Sequence, residues 1–194
     1  MNIEKLIHNN PCKIRDVKDP SLELQLIAVR SYAPSIMYIE NPFDVVQVFA
    51  IAANKECIKY IKNPCNKIQK IAVKFNGNLI KYIKSPSEEI KQLAVKHDGR
   101  AIRHIKFQLE KVQLIAVAKF PFAIKYIPDP SKSVQLMAVR RNGHSIKFIS
   151  NPSEEVQINA VENDAFAIRH IVNASENVKM IAAKFFGEKH EVGR

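Results

Sequence analysis

The sequence predicts an all-α protein of the α-solenoid class, and three regularities support this prediction. A block of 22 residues recurs without slipping from Pro20 onward. Alanine occupies the ninth position of every block, and isoleucine occupies the seventeenth and twentieth positions of every complete block. Self-similarity at a fixed short period is typical of solenoids, in which each unit buries its apolar face against its neighbours. The blocks begin at Pro20, Pro42, Pro64, Pro86, Gln108, Pro130, Pro152 and Ala174.

The unbroken period predicts one domain, a single α-solenoid over residues 1–194. We expect residues 1–19 to form an N-terminal cap or half repeat and residues 20–173 to form seven two-helix repeats. Residues 174–194 are expected to form a C-terminal cap helix and tail. No linker-like composition interrupts the blocks, so we expect no internal domain boundary.

The first half of each block predicts a helix of about ten residues, here called helix A. In the most regular block, Asn151 is a good N-cap, Pro152 suits the first turn, and Glu154 and Glu155 place negative charge at the positive end of the helix dipole. We expect helix A to end near residues 163–164, where other blocks carry Asn-Gly or Asp-Gly. Those dipeptides tolerate left-handed backbone and are typical of helix ends.

The second half of each block predicts a shorter helix B, either α-helical or 3₁₀. In the same block it would cover residues 165–172, with Ile168 and Ile171 on one face because they are three residues apart. The recurring alanine is expected where successive helices A approach most closely. A glutamine recurs at the sixth position of six blocks, and we expect its amide to be partly buried and to satisfy loop backbone. A row of ligand-binding glutamines is the alternative.

Units that read NPSEEVQ, then AV, then NG, then AI..I resemble the short two-helix repeats of the HEAT-like and leucine-rich-repeat-variant kind. They are also similar to repeats in phage and large-virus proteins of unassigned function. The resemblance covers residues 11–187. It implies a helical-repeat scaffold and carries no shared catalytic motif.

Two rows on helix B are candidates for partner binding. The eighteenth position of the blocks is nearly always basic and is expected to point away from the isoleucine pair. The nineteenth position is aromatic or histidine and flanks the apolar stripe, so it either shields the core or touches a partner. The candidate residues of the two rows are Lys59, Lys81, Arg103, Lys125, Lys147 and Arg169, with Tyr60, Tyr82, His104 and Tyr126 beside them.

The fifth block departs from the repeat and adds two candidate contact residues. Phe120 and Phe122 flank Pro121 at the turn between its helices, and Phe107 replaces the usual residue before helix A. Two interpretations stand for these rings. They form an exposed apolar contact patch, or they fill space left by the missing glycine and cap.

The sequence gives little support for catalysis, so we expect a protein that is not an enzyme and has no cofactor. Its six histidines show no metal-ligand spacing, and it has no phosphate-cradling glycine loop and no GxSxG motif. The three cysteines, Cys12, Cys57 and Cys65, favour a reducing compartment over a disulfide framework. We therefore expect a cytoplasmic protein, and we expect Cys57 to be a small core residue rather than a reactive thiol.

The charge pattern indicates an acidic partner. The chain carries a formal net charge of +11, and its excess of Lys and Arg is concentrated in the four central blocks. No apolar run is long enough for a membrane span. Two function classes remain. The first is an adaptor or inhibitor that docks on an acidic protein or nucleoprotein complex, and the second is a nucleic-acid-binding protein that tracks the phosphate backbone. The sequence leaves the oligomeric state open.

Overall fold

A computed structural model describes the backbone of residues 2–191 and the side chains of residues 2–185. Ten-residue α-helices alternate with six-residue 3₁₀ helices through most of this range, and the described residues contain no strand. The all-α solenoid class predicted from the period is therefore confirmed. Helix A is the α-helix of each repeat, and helix B is its 3₁₀ helix.

The described chain divides into two compact units, Met1–His97 and Asp98–Arg194. The first unit contains five α-helices (α1 to α5) and four 3₁₀ helices (η1 to η4). Their bounds are α1 Ile3–Asn9, η1 Pro11–Asp16, α2 Leu22–Ser31, η2 Ala33–Tyr38, α3 Asp44–Ala53, η3 Lys55–Tyr60, α4 Asn66–Phe75, η4 Gly77–Tyr82 and α5 Glu88–His97. The predicted cap over residues 1–19 thus contains the same α and 3₁₀ pair as the repeats that follow it.

The second unit contains four 3₁₀ helices (η5 to η8) and four α-helices (α6 to α9). Their bounds are η5 Gly99–His104, α6 Glu110–Lys119, η6 Pro121–Tyr126, α7 Lys132–Arg141, η7 Gly143–Phe148, α8 Glu154–Asn163, η8 Ala165–His170 and α9 Glu176–Glu191. The predicted C-terminal cap includes α9, and its last residues, 192–194, lie outside the described residues. The expectation of one uninterrupted solenoid over residues 1–194 stays a prediction.

Within each unit, successive α-helices pack against one another, and each 3₁₀ helix packs against the α-helices of that unit that precede and follow it and against its neighbouring 3₁₀ helix. The recurring alanines are all fully or almost fully buried, from Ala28 at the start to Ala182 at the end. The isoleucine pairs of helix B are buried in the first six complete repeats and half-buried at Ile168 and Ile171. Within each unit, the core is therefore a stripe of small and branched side chains between the α-helices and the 3₁₀ helices.

Helix A begins later in the block than its composition suggests. The structure starts α8 at Glu154, with Ser153 as its N-cap residue, whereas Asn151 has a left-handed φ of 51°. The expected cap at Asn151 and the placement of Pro152 in the first helical turn are therefore wrong. Ser153 is the N-cap residue because it directly precedes the helix. Glu154 and Glu155 still lie in the first turn, where their negative charge interacts favourably with the positive end of the helix dipole.

Helix A ends where predicted, but the glycines do not serve a left-handed turn. The residue before the glycine is extended, with φ of −142° at Asp98 and −159° at Asn142, and the described glycines have no positive φ. A Cβ added to Gly99 or Gly143 would lie closer than 3.0 Å to the carbonyl oxygen of the alanine in the next repeat. At these two positions a side chain would not fit, because the start of the 3₁₀ helix contacts the backbone of the recurring alanine in the next repeat.

The recurring glutamines have the structural role that we expected. In all six blocks that carry it, the side-chain amide nitrogen donates to a backbone carbonyl five residues earlier, for example from Gln135 to Pro130 at 2.8 Å. Gln25 also accepts from the backbone N–H of Phe43 in the next repeat. These bonds hold the loop before helix A and disfavour a ligand-binding row.

Gln108 replaces proline at the start of the fifth repeat and joins two repeats. Its amide nitrogen donates to the carbonyls of Ile102, Ile105 and Tyr126 at 3.0 to 3.2 Å. Cys57 is fully buried, and its burial raises the pKa of the thiol, which agrees with a core role. The helices described here include none that has the length and apolar character needed to cross a membrane.

Candidate docking surface

The predicted binding residues lie at the end of the 3₁₀ helices, on the side away from the isoleucine pair. The basic side chains at the eighteenth position are exposed, and the rings at the nineteenth position are half-buried. Tyr38, Tyr60 and Tyr82 pack against the core of the first unit with part of their surface. Each ring therefore shields the core with one part and faces solvent with another, so the two interpretations of this row are compatible.

The basic and aromatic rows do not run as separate lines. Each lysine folds back over the ring of the following residue, with 4.9 Å between the Lys59 ammonium nitrogen and the Tyr60 ring centre and 4.6 Å from Lys81 to Tyr82. The second unit repeats this contact from Lys125 to Tyr126 at 4.8 Å and from Lys147 to Phe148 at 4.9 Å. We call these paired rows the cation–aromatic strip. Such contacts lie within the 6 Å range of cation–π attraction.

In the second unit the strip also connects neighbouring repeats. Lys125 lies 5.8 Å from the Phe148 ring of the next repeat, and Lys147 lies 5.4 Å from the Phe122 ring of the preceding repeat. Phe122 contacts Phe148 edge to face at 5.9 Å and Phe120 at 5.8 Å. Phe120 and Phe122 therefore join the strip, in a way that the repeat pattern alone did not predict.

The remaining predicted residues make other contacts. Arg103 donates from Nε to Nε2 of His104 at 3.0 Å, and the guanidinium of Arg169 lies 5.9 Å from the Phe166 ring. Phe107 is 82% exposed and lies in the loop between η5 and α6, away from the turn that carries Phe120 and Phe122. The Phe122 ring thus contacts both Phe120 and Phe148.

The electrostatics of the strip are set by its own cations. Hydrogen bonds from Lys125 and, less strongly, from Arg103 lower the pKa of Tyr126. A hydrogen bond with Tyr60 raises the pKa of Lys59, with smaller contributions from Tyr82 and Glu56. Within the described range, neither Lys125 nor Lys147 forms an ion pair with a carboxylate. Their positive charge is therefore positioned by rings and remains available to a partner.

The sequence did not reveal a histidine pair at the end of this strip. His144 and His170 approach to 3.1 Å between Nδ1 and Nε2, and His144 Nε2 lies 3.0 Å from a carboxylate oxygen of Asp164. Burial lowers the pKa of His170, and the charges of His144, Arg169 and Lys147 add to that effect. The two histidines are 26 residues apart, and the repeat period alone does not show that residues at this separation touch.

The first unit carries a less basic version of the strip. Arg15 of the N-terminal cap lies 5.9 Å from the Tyr38 ring, and Met37 occupies the next basic position. Glu56 accepts a hydrogen bond from the Tyr82 hydroxyl at 3.2 Å. The strip of the first unit therefore contains a carboxylate that is hydrogen-bonded to one of its own tyrosines.

No cluster of three or more potential metal ligands occurs among the side chains of residues 2–185. Comparisons with protein-family models, with curated proteins and with solved structures found no match to this chain. The class of protein is thus defined by its architecture, an α-helical repeat protein with a basic and aromatic edge.

Proposed function

We propose that this chain is a non-enzymatic binding scaffold whose cation–aromatic strip docks on an acidic macromolecule, most favourably an acidic protein or nucleoprotein surface. Lysines 59, 81, 125 and 147 and the rings beside them would make the central contacts, with Phe120 and Phe122 extending the surface in the second unit. Aromatic and arginine side chains dominate binding hot spots in protein interfaces.

The observation that carries this proposal is the placement of the lysines over rings. A surface lysine ordinarily moves freely or pairs with a nearby acid, and ordering it on binding costs side-chain entropy. Lys125 and Lys147 instead contact two rings each. Their positions are thus partly fixed before binding, while their charge is not neutralised by a carboxylate.

The same geometry favours a protein partner over nucleic acid. Base stacking needs an open aromatic face, and the half-buried rings of Tyr82, Tyr126 and Phe148 already carry a lysine on a face. Nucleic-acid binding is therefore supported by net charge alone. The two classes differ in their dependence on salt, because binding through Z phosphate contacts gives a log–log slope of roughly −0.9Z on duplex DNA.

The resemblance to HEAT-like, leucine-rich-repeat-variant, phage and large-virus repeats makes the proposal more specific about the kind of binding scaffold. Solenoids of this kind present an extended edge to a partner, which suits an adaptor or a stoichiometric inhibitor. For a protein of viral or phage origin, a host defence or regulatory complex in the cytoplasm is a natural target. This part of the proposal is an analogy based on the fold.

The test is capture of partners from nuclease-treated extract, with crosslinking and mass spectrometry to locate the contacted segments. We expect recovery to survive nuclease and to be lost in the double variant Lys125→Glu, Lys147→Glu. Crosslinks should join the strip to Asp- and Glu-rich segments. The matched control is Lys96→Glu, Lys111→Glu, which makes the same charge change on exposed helix A positions.

Equal recovery by the wild type and the Lys125→Glu, Lys147→Glu variant would defeat the proposal. Equal losses in both double variants would show that net charge acts without the strip. Recovery that disappears after nuclease, together with a steep salt slope on oligonucleotides, would support the phosphate-backbone function instead.

A further inference from the structure

One contact between neighbouring repeats recurs along the strip at a separation of 26 residues. It joins the fifteenth position of one block to the nineteenth position of the next. In the first unit it is the hydrogen bond between Glu56 and Tyr82, and in the second it is the ring contact of Phe122 with Phe148 and the pairing of His144 with His170. The fifteenth position thus supplies the side chain that meets the ring of the next repeat.

At Tyr82 this contact places a carboxylate among cations. The Tyr82 hydroxyl donates to Oε2 of Glu56 at 3.2 Å, and the Lys81 ammonium lies 4.6 Å from the ring centre. Lys59 of the preceding repeat interacts electrostatically with both Tyr82 and Glu56. A tyrosine hydroxyl between two basic side chains therefore accommodates a carboxylate in this protein, because charge-assisted hydrogen bonds favour that arrangement.

Tyr126 has the same surroundings without the carboxylate. It is the nineteenth residue of its block, with Lys125 4.8 Å from its ring centre and Arg103 at the basic position of the preceding repeat. The fifteenth position that corresponds to Glu56 is Arg100, which pairs with Asp98 at 3.1 Å and lies over the Phe120 ring. Within the described residues, no carboxylate accepts from the Tyr126 hydroxyl.

We infer that Tyr126, Lys125 and Arg103 form a binding site for a carboxylate of the partner, an Asp or Glu side chain, in the place that Glu56 fills beside Tyr82. The inference rests on the proposed function and names the chemical group that the strip recognises. Hydrogen bonds from the two cations lower the pKa of the Tyr126 hydroxyl, which strengthens it as a donor to a carboxylate. The site is accessible because Lys125 and Arg103 are exposed.

A labelled oligoglutamate peptide tests the site by fluorescence anisotropy at low ionic strength. Tyr126→Phe keeps the ring and removes only the hydroxyl, and we expect about tenfold weaker binding, which corresponds to one charge-assisted hydrogen bond. Its matched control is Tyr32→Phe, which removes an exposed hydroxyl outside the strip and should leave affinity unchanged. Unchanged affinity in Tyr126→Phe would overturn the inference.

A charge swap between the two units gives an independent test. Arg100→Glu installs at Tyr126 the carboxylate that Glu56 provides at Tyr82, and it should block the peptide and raise the pKa of Tyr126. Lys111→Glu gives the protein the same net charge as Arg100→Glu but places the change on helix A. It should weaken binding by no more than about threefold, because a distant charge is screened. Glu56→Ala should open the equivalent site at Tyr82 and add a second binding event. Equal affinity in Arg100→Glu and Lys111→Glu would contradict the site.

The outcomes separate this inference from the function on which it rests. If Lys125→Glu, Lys147→Glu abolishes peptide binding but Tyr126→Phe and Arg100→Glu do not, the strip docks acids and the carboxylate site is wrong. If none of these variants changes binding, both proposals fail. Tighter binding of an oligothymidylate of equal charge, weakened by the same variants, would assign the site to phosphate and overturn the carboxylate assignment.

Discussion

The close approach at Gly143 provides a direct test of how the repeats pack. A Cβ on this residue would meet the carbonyl of Ala160 at less than 3.0 Å, and the Ala167 Cβ lies 3.3 Å away. The Gly143 N–H also donates to Oδ1 of Asn163 at 2.6 Å. Because backbone and a short hydrogen bond hold the glycine from the next repeat, Gly143→Ala requires the backbone of that repeat to shift.

The expected magnitude is the difference of two effects. Replacing glycine with alanine at a compatible site stabilises a protein by about 0.4 to 1 kcal/mol through the unfolded state. Overpacking of a tight contact costs about 1 to 3 kcal/mol. Gly143→Ala should therefore destabilise the protein by about 1 to 2 kcal/mol, or lower Tm by roughly 2 to 8 °C for a domain of this size. Urea unfolding followed by circular dichroism measures this change.

The reciprocal variant Ala165→Gly serves as the control, because the same repeat position already carries a Cβ there. It should cost only the usual penalty of glycine in a helix, about 0.5 to 1 kcal/mol. A Gly143→Ala protein as stable as the wild type, or more stable, would show that neighbouring repeats can slide apart freely and would refute the packing argument.

Three further predictions concern single side chains. Ser145 has a buried hydroxyl without a hydrogen-bond partner among the described residues, so Ser145→Ala should raise the free energy of unfolding by about 1 kcal/mol, measured by urea unfolding. Gln135→Leu removes the hydrogen bond to the Pro130 carbonyl and should lower the free energy of unfolding by about 1 to 2 kcal/mol. Unchanged stability in this variant would contradict the role given to the glutamine. The pKa of His170 is lower in the folded state than the ordinary value of 6.5, so the unfolded chain binds the proton more readily. Stability should therefore fall as the pH drops below about 6.5, and His170→Gln should flatten this dependence in pH-dependent unfolding.

The repeat period predicted the helices well because it encodes packing at every repeat. Helix A has the expected ten residues, and helix B proved to be a 3₁₀ helix, one of two expected forms. The expected start of helix A was wrong because Asn151 and Ser153 are both common N-cap residues, and the sequence does not show that Asn151 takes a left-handed φ before the helix begins. The role of Gly143 was wrong because a sequence shows a missing side chain without showing which atom occupies its space.

The candidate site was predicted by position more successfully than by contact. Periodicity placed Lys125 at an exposed position and Tyr126 beside the apolar stripe, and in the structure Lys125 is exposed and Tyr126 is half-buried. It did not predict that the lysine would lie over a ring, since a long flexible side chain has many possible partners. The contact of Phe122 with Phe148 also escaped prediction, because Phe122 belongs to a departure from the repeat and the 26-residue pairing is visible only in three dimensions.

The junctions between repeats differ from one another, and the fourteenth position of each block lies at these junctions. Glycine there allows the close approach seen at Gly143, whereas the first repeat carries Ala33 and the second repeat carries Lys55. The contact between α3 and α4, which follows Lys55, is smaller than that between α2 and α3. The side-chain oxygen of Gln25 accepts a hydrogen bond from the next repeat, whereas the side-chain oxygens of Gln47 and Gln157 have no hydrogen-bond partner among the residues described. Because each repeat contacts only its neighbours, a loose junction can be tolerated locally while the other junctions stay tight.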